Sequence, residues 1–551
     1  MRAVAGIWNE PGHRGEIGPL RTLGGMISLP RLFGKFGKSD EGADWVVVDL
    51  HGSFPSRRPQ NPLEAIRQRN DTLAGLTQRL ERIGESSYSA VFVTTGGYTG
   101  GPATTWAISR LLGDLAKKKR VVAYLPDVTM FQLALTSQVA EVIAPESASV
   151  NIHGFAVEQL YLGGLLKKHG IGFENLRIKE YKSALTPFSE DAMDEYQREQ
   201  MKAYLDAVEQ TWVADLAKAR ELSVDAVRGV LDSPPVSAAD LHRAGLITRV
   251  AYDDEILTIT EPDFGSSLDL VMPQRPKKGA HVAVVQVHGG IVTGRSRYSP
   301  SPLFGGATAG SDTVVAALRK ADRDPDVRAI VLHVDSGGGS ALASDLIDRE
   351  VRRASKPVVA VMGEVAASGG YYVAAHATKI LASPYTITGS IGVVAGKAVL
   401  AELQERHGIN PERVGRDEAL IFSSSREFSD SERAWLTAMI DDVYDRFLDR
   451  VADGRGLTKE RVNELGRGRI WAGTEAKDNG LIDDLGDLEA GIALARELGG
   501  LAEDAPAQVV SPGKLAGLLP EQGRSVSLSS LAWPLGRERV LTWLPARVTL
   551  H

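Results

Sequence analysis

Val121-Val122-Ala123-Tyr124-Leu125-Pro126-Asp127-Val128 and Val358-Val359-Ala360-Val361-Met362-Gly363-Glu364-Val365 are two versions of one pattern, an apolar run of strand length followed by a turn. Short apolar runs bounded by turn signals read as buried strands. Working outward, the same order of segments surrounds both. Residues 45–52 match residues 282–289, each a short apolar strand ending at a glycine. Ala90-Val91-Phe92-Val93 matches Ala329-Ile330-Val331-Leu332, and a glycine-rich loop and a helical stretch follow each. Strands alternating with helices imply a parallel sheet wound by right-handed crossovers. The internal repeat therefore predicts two tandem α/β units.

The two copies differ where chemistry is expected. Downstream of its strand the second reaches Ala366-Ala367-Ser368-Gly369-Gly370, whereas the first reaches Thr129-Met130-Phe131-Gln132. Within a one-residue slip, Thr129 is the first copy's sole hydroxyl there. Farther on the asymmetry reverses: Arg177-Ile178-Lys179-Glu180-Tyr181-Lys182-Ser183-Ala184 aligns with Arg413-Val414-Gly415-Arg416-Asp417-Glu418-Ala419-Leu420. The lysine is kept only in the first copy and the serine only in the second. That reciprocal loss predicts one composite Ser–Lys site built from both.

Ser368 is the candidate nucleophile. It follows a buried strand and a turn, and the glycines after it let a substrate approach the backbone. The alternative is a small residue chosen for close packing at a helix start. Lys182 is the candidate base, which requires burial to pull its pKa well below about 10.4; the alternative is a solvated lysine. Ser390, at a predicted strand end, can orient that amine or simply satisfy its own turn. Asp335-Ser336-Gly337-Gly338-Gly339-Ser340 is a glycine loop able to turn N–H groups into a cavity. It reads also as a plain turn, and it lacks the spacing of a phosphate cradle. His376 is expected on the helix after Ser368, out of reach of its hydroxyl. His51 and His288 occupy equivalent strand ends, which favours structural roles.

Organisation and composition bound the rest. Met201, Leu205, Val208 and Trp212 keep helical spacing, mirrored by Leu436, Ile440, Val443 and Phe447 in a helix opened by a Ser429/Glu432 capping box. Each half closes on Gly-Leu-Ile, at Gly245 and Gly480. The expected division is an arm at residues 1–44, a lysine-bearing repeat at 45–262, a linker at 263–280, a serine-bearing repeat at 281–500 and a poorly packed tail at 501–551. With 551 residues and 43% apolar content the chain is too long for one core. A net charge of −7 without a basic block argues against nucleic acid. Zero cysteines excludes disulfides, thiolate metal sites and a cysteine nucleophile. No run is long and apolar enough to span a membrane, although residues 20–36 mix apolar and basic residues and are a candidate for contact with a membrane surface. The expected location is cytoplasmic or peripheral to a membrane.

Several motifs in order resemble the long, double-domain form of the signal peptide peptidase A family of serine peptidases (S49), which also includes shorter protease IV-like enzymes. They are Tyr181-Lys182-Ser183-Ala184 with Pro187-Phe188, Ala367-Ser368-Gly369-Gly370-Tyr371, Gly389-Ser390-Ile391-Gly392-Val393, Gly468-Arg469-Ile470-Trp471-Ala472-Gly473 through Ala476, Gly480-Leu481-Ile482-Asp483 and Leu485-Gly486. The resemblance covers most of residues 45–495. It implies two tandem Clp protease/crotonase-like domains, a dyad of Ser368 and Lys182 assisted by Ser390, and no cofactor or metal. It implies an ATP-independent endopeptidase acting on signal-peptide remnants and other unfolded segments with small and apolar side chains, assembled as a homo-oligomer, a tetramer by analogy. Gly338, Gly339 and Gly369 are the expected oxyanion donors. Where the family has Asn-Ser-Pro-Gly-Gly, this chain has Asp335-Ser336-Gly337-Gly338-Gly339, predicting a less rigid loop. The usual N-terminal anchor is not visible. The competing function classes are a crotonase-type acyl-CoA enzyme, using the glycine loop without a nucleophile, and an inactive scaffold.

Overall fold

The computed structural model describes residues 36–38, 44–56, 72–256, 258–259, 279–299, 306–510 and 541–543. All but the last residue of the proposed membrane contact at residues 20–36, and nearly all of the linker, lie outside the described residues.

In the first half, Asp44–Asp49, Ala90–Thr94, Arg120–Tyr124 and Glu141–Ala144 pair in parallel in that order. The helices Leu73–Glu85 and Pro102–Ala116 are two of the crossovers. In the second half, His281–His288, Val327–Ser336 and Val358–Ala367 pair in parallel. Side chains alternate along these strands. Thus Ala283, Val285 and Val287 enter the larger core, and Val282 and Val284 a smaller one on the opposite face. Burial on both faces is why these segments read as continuous apolar runs rather than as alternating ones. The tandem α/β fold with helix-wound parallel sheets is the fold class expected from the repeat.

Val358–Ala367 forks at its end. Its first residues pair with Lys379–Ala382 and its last with Ile387–Gly389. Ser368 and Ser390 therefore leave the ends of adjacent strands. The two long helices, Glu195–Arg220 and Asp430–Arg455, each span 26 residues, and the second opens with the expected Ser429/Glu432 capping box. Met201, Tyr204 and Val208 of the first pack against Tyr385, Ile387, Ile470 and Ala472, so one core cluster joins the halves. The strand Gly172–Arg177 also crosses over, pairing antiparallel with Val394–Val399.

Three local expectations are corrected. The helix after Ser368 is only Gly369–Tyr372, followed by turns to His376. Part of the glycine loop is strand: Gly338–Ser340 pairs with Ile291 on one side and antiparallel with Leu541–Trp543 on the other. The chain after residue 500 is not simply a tail, because Ala507–Val509 adds a parallel strand to His281–His288. Glycine-rich composition hid the first of these strands, and three residues in Ala507–Val509 are too few to show a side-chain period.

Candidate active site

Lys182 enters from the turn after Gly172–Arg177, below the helix Thr186–Ser189. Thr186 Oγ1 donates to Ser183 O (2.7 Å), and Gln200 Nε2 donates to Tyr181 O (3.0 Å), fixing the turn from both sides. Gln200 Oε1 in turn accepts Ile470 N–H (3.1 Å), tying the lysine segment to the second half. Gly468 makes this approach sterically feasible: a Cβ there would lie 2.5 Å from Lys182 N, and its φ is +87°.

Ser368 follows Ala367 with φ +57° and ψ −118°, and Ser390 has φ +50°. Left-handed backbone at non-glycine residues stores strain and concentrates at functional positions. Neighbouring chain holds it in place: Ser368 N–H donates to Gly389 O (2.8 Å) and Ser390 N–H to Arg469 O (2.7 Å). The sharp turn directs the Ser368 hydroxyl at the lysine of the other half.

There Lys182 Nζ lies 2.7 Å from Ser368 Oγ, 2.9 Å from Ser390 Oγ and 2.9 Å from Ser390 O. Lys182 is 1% exposed, Ser368 0% and Ser390 1%. Burial alone pulls the lysine down to about 7, since desolvation disfavours the ammonium and no carboxylate compensates it. A buried, near-neutral amine against a strained hydroxyl can remove that hydroxyl's proton.

The remaining sequence candidates are placed as follows. Gly338 N–H donates to Ser336 Oγ (3.1 Å), which itself donates to Gly289 O (2.6 Å). The serine pins the loop that the missing proline was expected to loosen. Gly339 lies in the paired strand, and Gly369 opens the turn of helix directly after Ser368. Both ring nitrogens of His376 are engaged, with Asp348 at 2.6 Å and Asp453 at 3.2 Å. His51 Nδ1 contacts Gly96 O (3.0 Å), and His288 contacts His333 (3.1 Å). Glu418 stands in an exposed turn at Asp417–Leu420, away from any equivalent burial. Among the described residues no group of three or more His, Cys, Asp or Glu is disposed to hold a metal ion.

Sequence reading missed the residues that hold the halves in register. Glu364, four positions before Ser368, accepts Ala103 N–H (3.0 Å), Thr104 N–H (2.8 Å) and Thr104 Oγ1 (2.6 Å). It thereby caps the first-half helix Pro102–Ala116, whose own N-cap is Gly101. A glycine at a helix start with no side-chain cap nearby was the available signal. Beside Glu364, burial and its negative charge raise the Asp335 carboxyl to about 6.

The profile of Peptidase family S49 matches residues 113–263 and 350–502. The chain is 30% identical to "Serine protease SPPA, chloroplastic" of Arabidopsis thaliana over 69% of its length and 58% of the relative's. It is 30% identical to "Protease 4" of Haemophilus influenzae, over 71% and 66% of the two chains. A putative protease of Synechocystis is 34% identical over 38% of this chain and 77% of its own. The chain thus spans less than two thirds of the first two relatives. Among solved structures, a ClpP1 of Listeria monocytogenes overlaps 38% of this chain and 94% of its own (18% identity, TM-score 0.24), and a membrane-bound stomatin-specific protease 43% and 100% (15%, 0.26). Overlaps that loose carry no weight, and the fold rests on the strand pairing itself. The profile match, spread over both halves and embracing Lys182 and Ser368, is decisive: this chain belongs to peptidase family S49.

Proposed function

We propose that the chain is a serine endopeptidase with a Ser–Lys dyad. The 2.7 Å approach of Lys182 Nζ to Ser368 Oγ in a buried site supports this reading above all else. A neutral amine has two N–H bonds and one lone pair. Ser390 O and Oγ take the two N–H bonds, which leaves the lone pair aimed at Ser368 Oγ. Lys182 accepts the hydroxyl proton as Ser368 attacks the peptide carbonyl. The resulting ammonium gives that proton to the leaving amine, and an acyl-enzyme remains. Water, deprotonated by the same lysine, then releases the acid and restores Ser368. Gly369, at the turn of helix directly after Ser368, and the neighbouring Gly338–Gly339 loop are the proposed oxyanion donors.

The substrates in this reading are unfolded polypeptides, signal-peptide remnants among them, cut beside small and apolar side chains without ATP. The division into repeats at residues 45–262 and 281–500 and a homo-oligomeric, tetrameric assembly belong to the same proposal. Exposed Leu160, Leu165, Ile409 and Val414 support self-association. A cytoplasmic or membrane-peripheral location completes it; among the described residues no helix is long and apolar enough to cross a membrane. The test is hydrolysis of casein and of small-residue peptides without ATP. Wild-type protein cleaves, and Ser368→Ala and Lys182→Ala do not while melting cooperatively. Substantial cleavage by either variant refutes the dyad.

A further inference from the structure

We propose that Arg469 is a positioning residue for the reaction: its main chain holds Ser390 and its guanidinium holds the turn that carries Lys182, so one residue keeps the base and its orienting group in register. The inference rests on the Ser–Lys reading above and extends it to the segment that maintains the pair.

Three successive residues of the second half grip three successive residues of the first. Arg467 pairs with Glu180. Gly468 lies against Lys182, where a Cβ would come within 2.5 Å of Lys182 N. The Arg469 guanidinium lies over two rings, its Cζ 5.2 Å from the Tyr181 centroid and 4.6 Å from that of Trp471. Its Nη1 donates to Glu199 Oε1 (3.1 Å), and the Tyr181 hydroxyl donates to Glu199 Oε2 (2.9 Å). Trp471 is fixed in turn, because its Nε1 donates to Leu465 O (2.9 Å). The main chain of the same segment reaches the other side of the site. Arg469 O accepts Ser390 N–H (2.7 Å), and Gly468 N–H donates to Ile391 O (2.8 Å). Ser390 is thereby held at φ +50° with both its oxygens on the Lys182 amine.

Glu180 and Glu199 of the first half are each matched by an arginine of the second, Arg467 and Arg469, and Glu475 is a further charged group near Arg469. Burial is the only cause that lowers the Lys182 amine. What Arg469 supplies is therefore geometry and exclusion of water. A guanidinium stacks flat on aromatic faces while giving its N–H groups to a carboxylate, which an ammonium cannot do. Its Nε is buried with no hydrogen-bond partner among the described residues, so the rings share in holding it. The first copy of the repeat lacks the clamp. Aligned on Gly245 and Gly480, Arg469 and Trp471 fall on Pro234 and Val236, the latter 86% exposed. The residues that grip the lysine are kept only in the half that bears the serine, the same division that separates Lys182 from Ser368.

The test is the pH dependence of fluorophosphonate labelling of Ser368 in the full chain, for wild type, Arg469→Ala, Arg469→Lys and Tyr181→Leu, with thermal melts beside it. Loosening the turn admits water to the amine, and hydration moves a buried lysine back toward 10.5. Each variant is expected to raise the midpoint from about 7 by about one pH unit, which slows labelling about fivefold at pH 7 and leaves it near the wild-type rate at pH 9. A uniform slowdown at an unchanged midpoint would make Arg469 merely structural and overturns the inference. Restoration of the wild-type profile by Arg469→Lys overturns it too, because charge and not stacking would then set the amine. Tyr181→Leu removes the partner ring from the other half, so the inference stays testable where an Arg469 variant fails to melt cooperatively. Lys182→Ala labelled as fast as wild type refutes the dyad and the inference with it. Slow labelling of Lys182→Ala together with unchanged profiles in the three clamp variants refutes the inference alone.

Discussion

Glu364 accepts the Thr104 N–H at 2.8 Å and the Thr104 hydroxyl at 2.6 Å, so a carboxylate in the serine-bearing half caps a helix in the lysine-bearing half. Lys182 and Ser368 come from different halves, and their 2.7 Å separation depends on such fixtures. Removing the carboxylate strips three hydrogen bonds from the helix start. Glu364→Ala is expected to destabilise by about 1–2 kcal/mol, as loss of a helix cap does, and to lower kcat with KM little changed. Denaturant melts and steady-state kinetics check this; unchanged kcat in a destabilised protein makes Glu364 merely structural.

Asp335 carries a pH dependence of its own. Burial and the Glu364 charge raise its folded-state pKa from 3.8 to about 6. Between those values the folded chain holds a proton that the unfolded chain has released. Its contribution to stability is thus present at low pH and lost as pH rises through about 6. Asp335→Asn keeps an oxygen for the Val365 N–H, now at 3.2 Å, and removes the charge. The expected gain is on the order of 1–2 kcal/mol at pH 7 and near zero at pH 4. Urea unfolding at the two pH values measures it, and equal gains at both would show that the carboxylate charge is not the cause.

The buried lysine works in the opposite direction. Its folded-state pKa of about 7 lies below the ordinary 10.5, so between these values the unfolded chain binds the extra proton and stability climbs with pH. Lys182→Met lacks this dependence. Its stability advantage over wild type is expected to be largest at pH 7 and below, and to shrink by up to about 1.4 kcal/mol per pH unit above that. A gap that stays constant from pH 6 to pH 10 means Lys182 titrates normally.

Ser390 offers the amine two oxygens, and only one belongs to the side chain. Ser390→Ala removes a buried hydrogen bond of about 1–3 kcal/mol, expected as roughly a 5- to 150-fold loss in kcat/KM. The carbonyl remains, so activity persists. Activity as low as that of Lys182→Ala would show that Ser390 does more than orient the lysine.

The repeat made the tandem sheets legible because parallel strands buried on both faces appear as plain apolar runs. Reciprocal loss of Lys182 and Ser368 made their partnership legible, since each residue had a counterpart position lacking it. Main-chain relationships were not legible. The strand at Gly338–Ser340, its pairing with Leu541–Trp543 and the left-handed backbone of Ser368 have no side-chain signature. Contacts between charged residues and distant helix ends were equally hidden: Glu364 in sequence is one acid after a strand, and its capping role exists only once the halves dock.

The central claim is that Lys182 activates Ser368. The most direct measurement is the rate at which a fluorophosphonate labels Ser368 across pH 5 to 9, for wild type and Lys182→Ala. The account predicts a wild-type rate that rises with an apparent pKa of about 7 and a Lys182→Ala rate lower by about a hundredfold or more, the scale of general-base assistance. Labelling of Lys182→Ala at the wild-type rate, with the same pH profile, would contradict it.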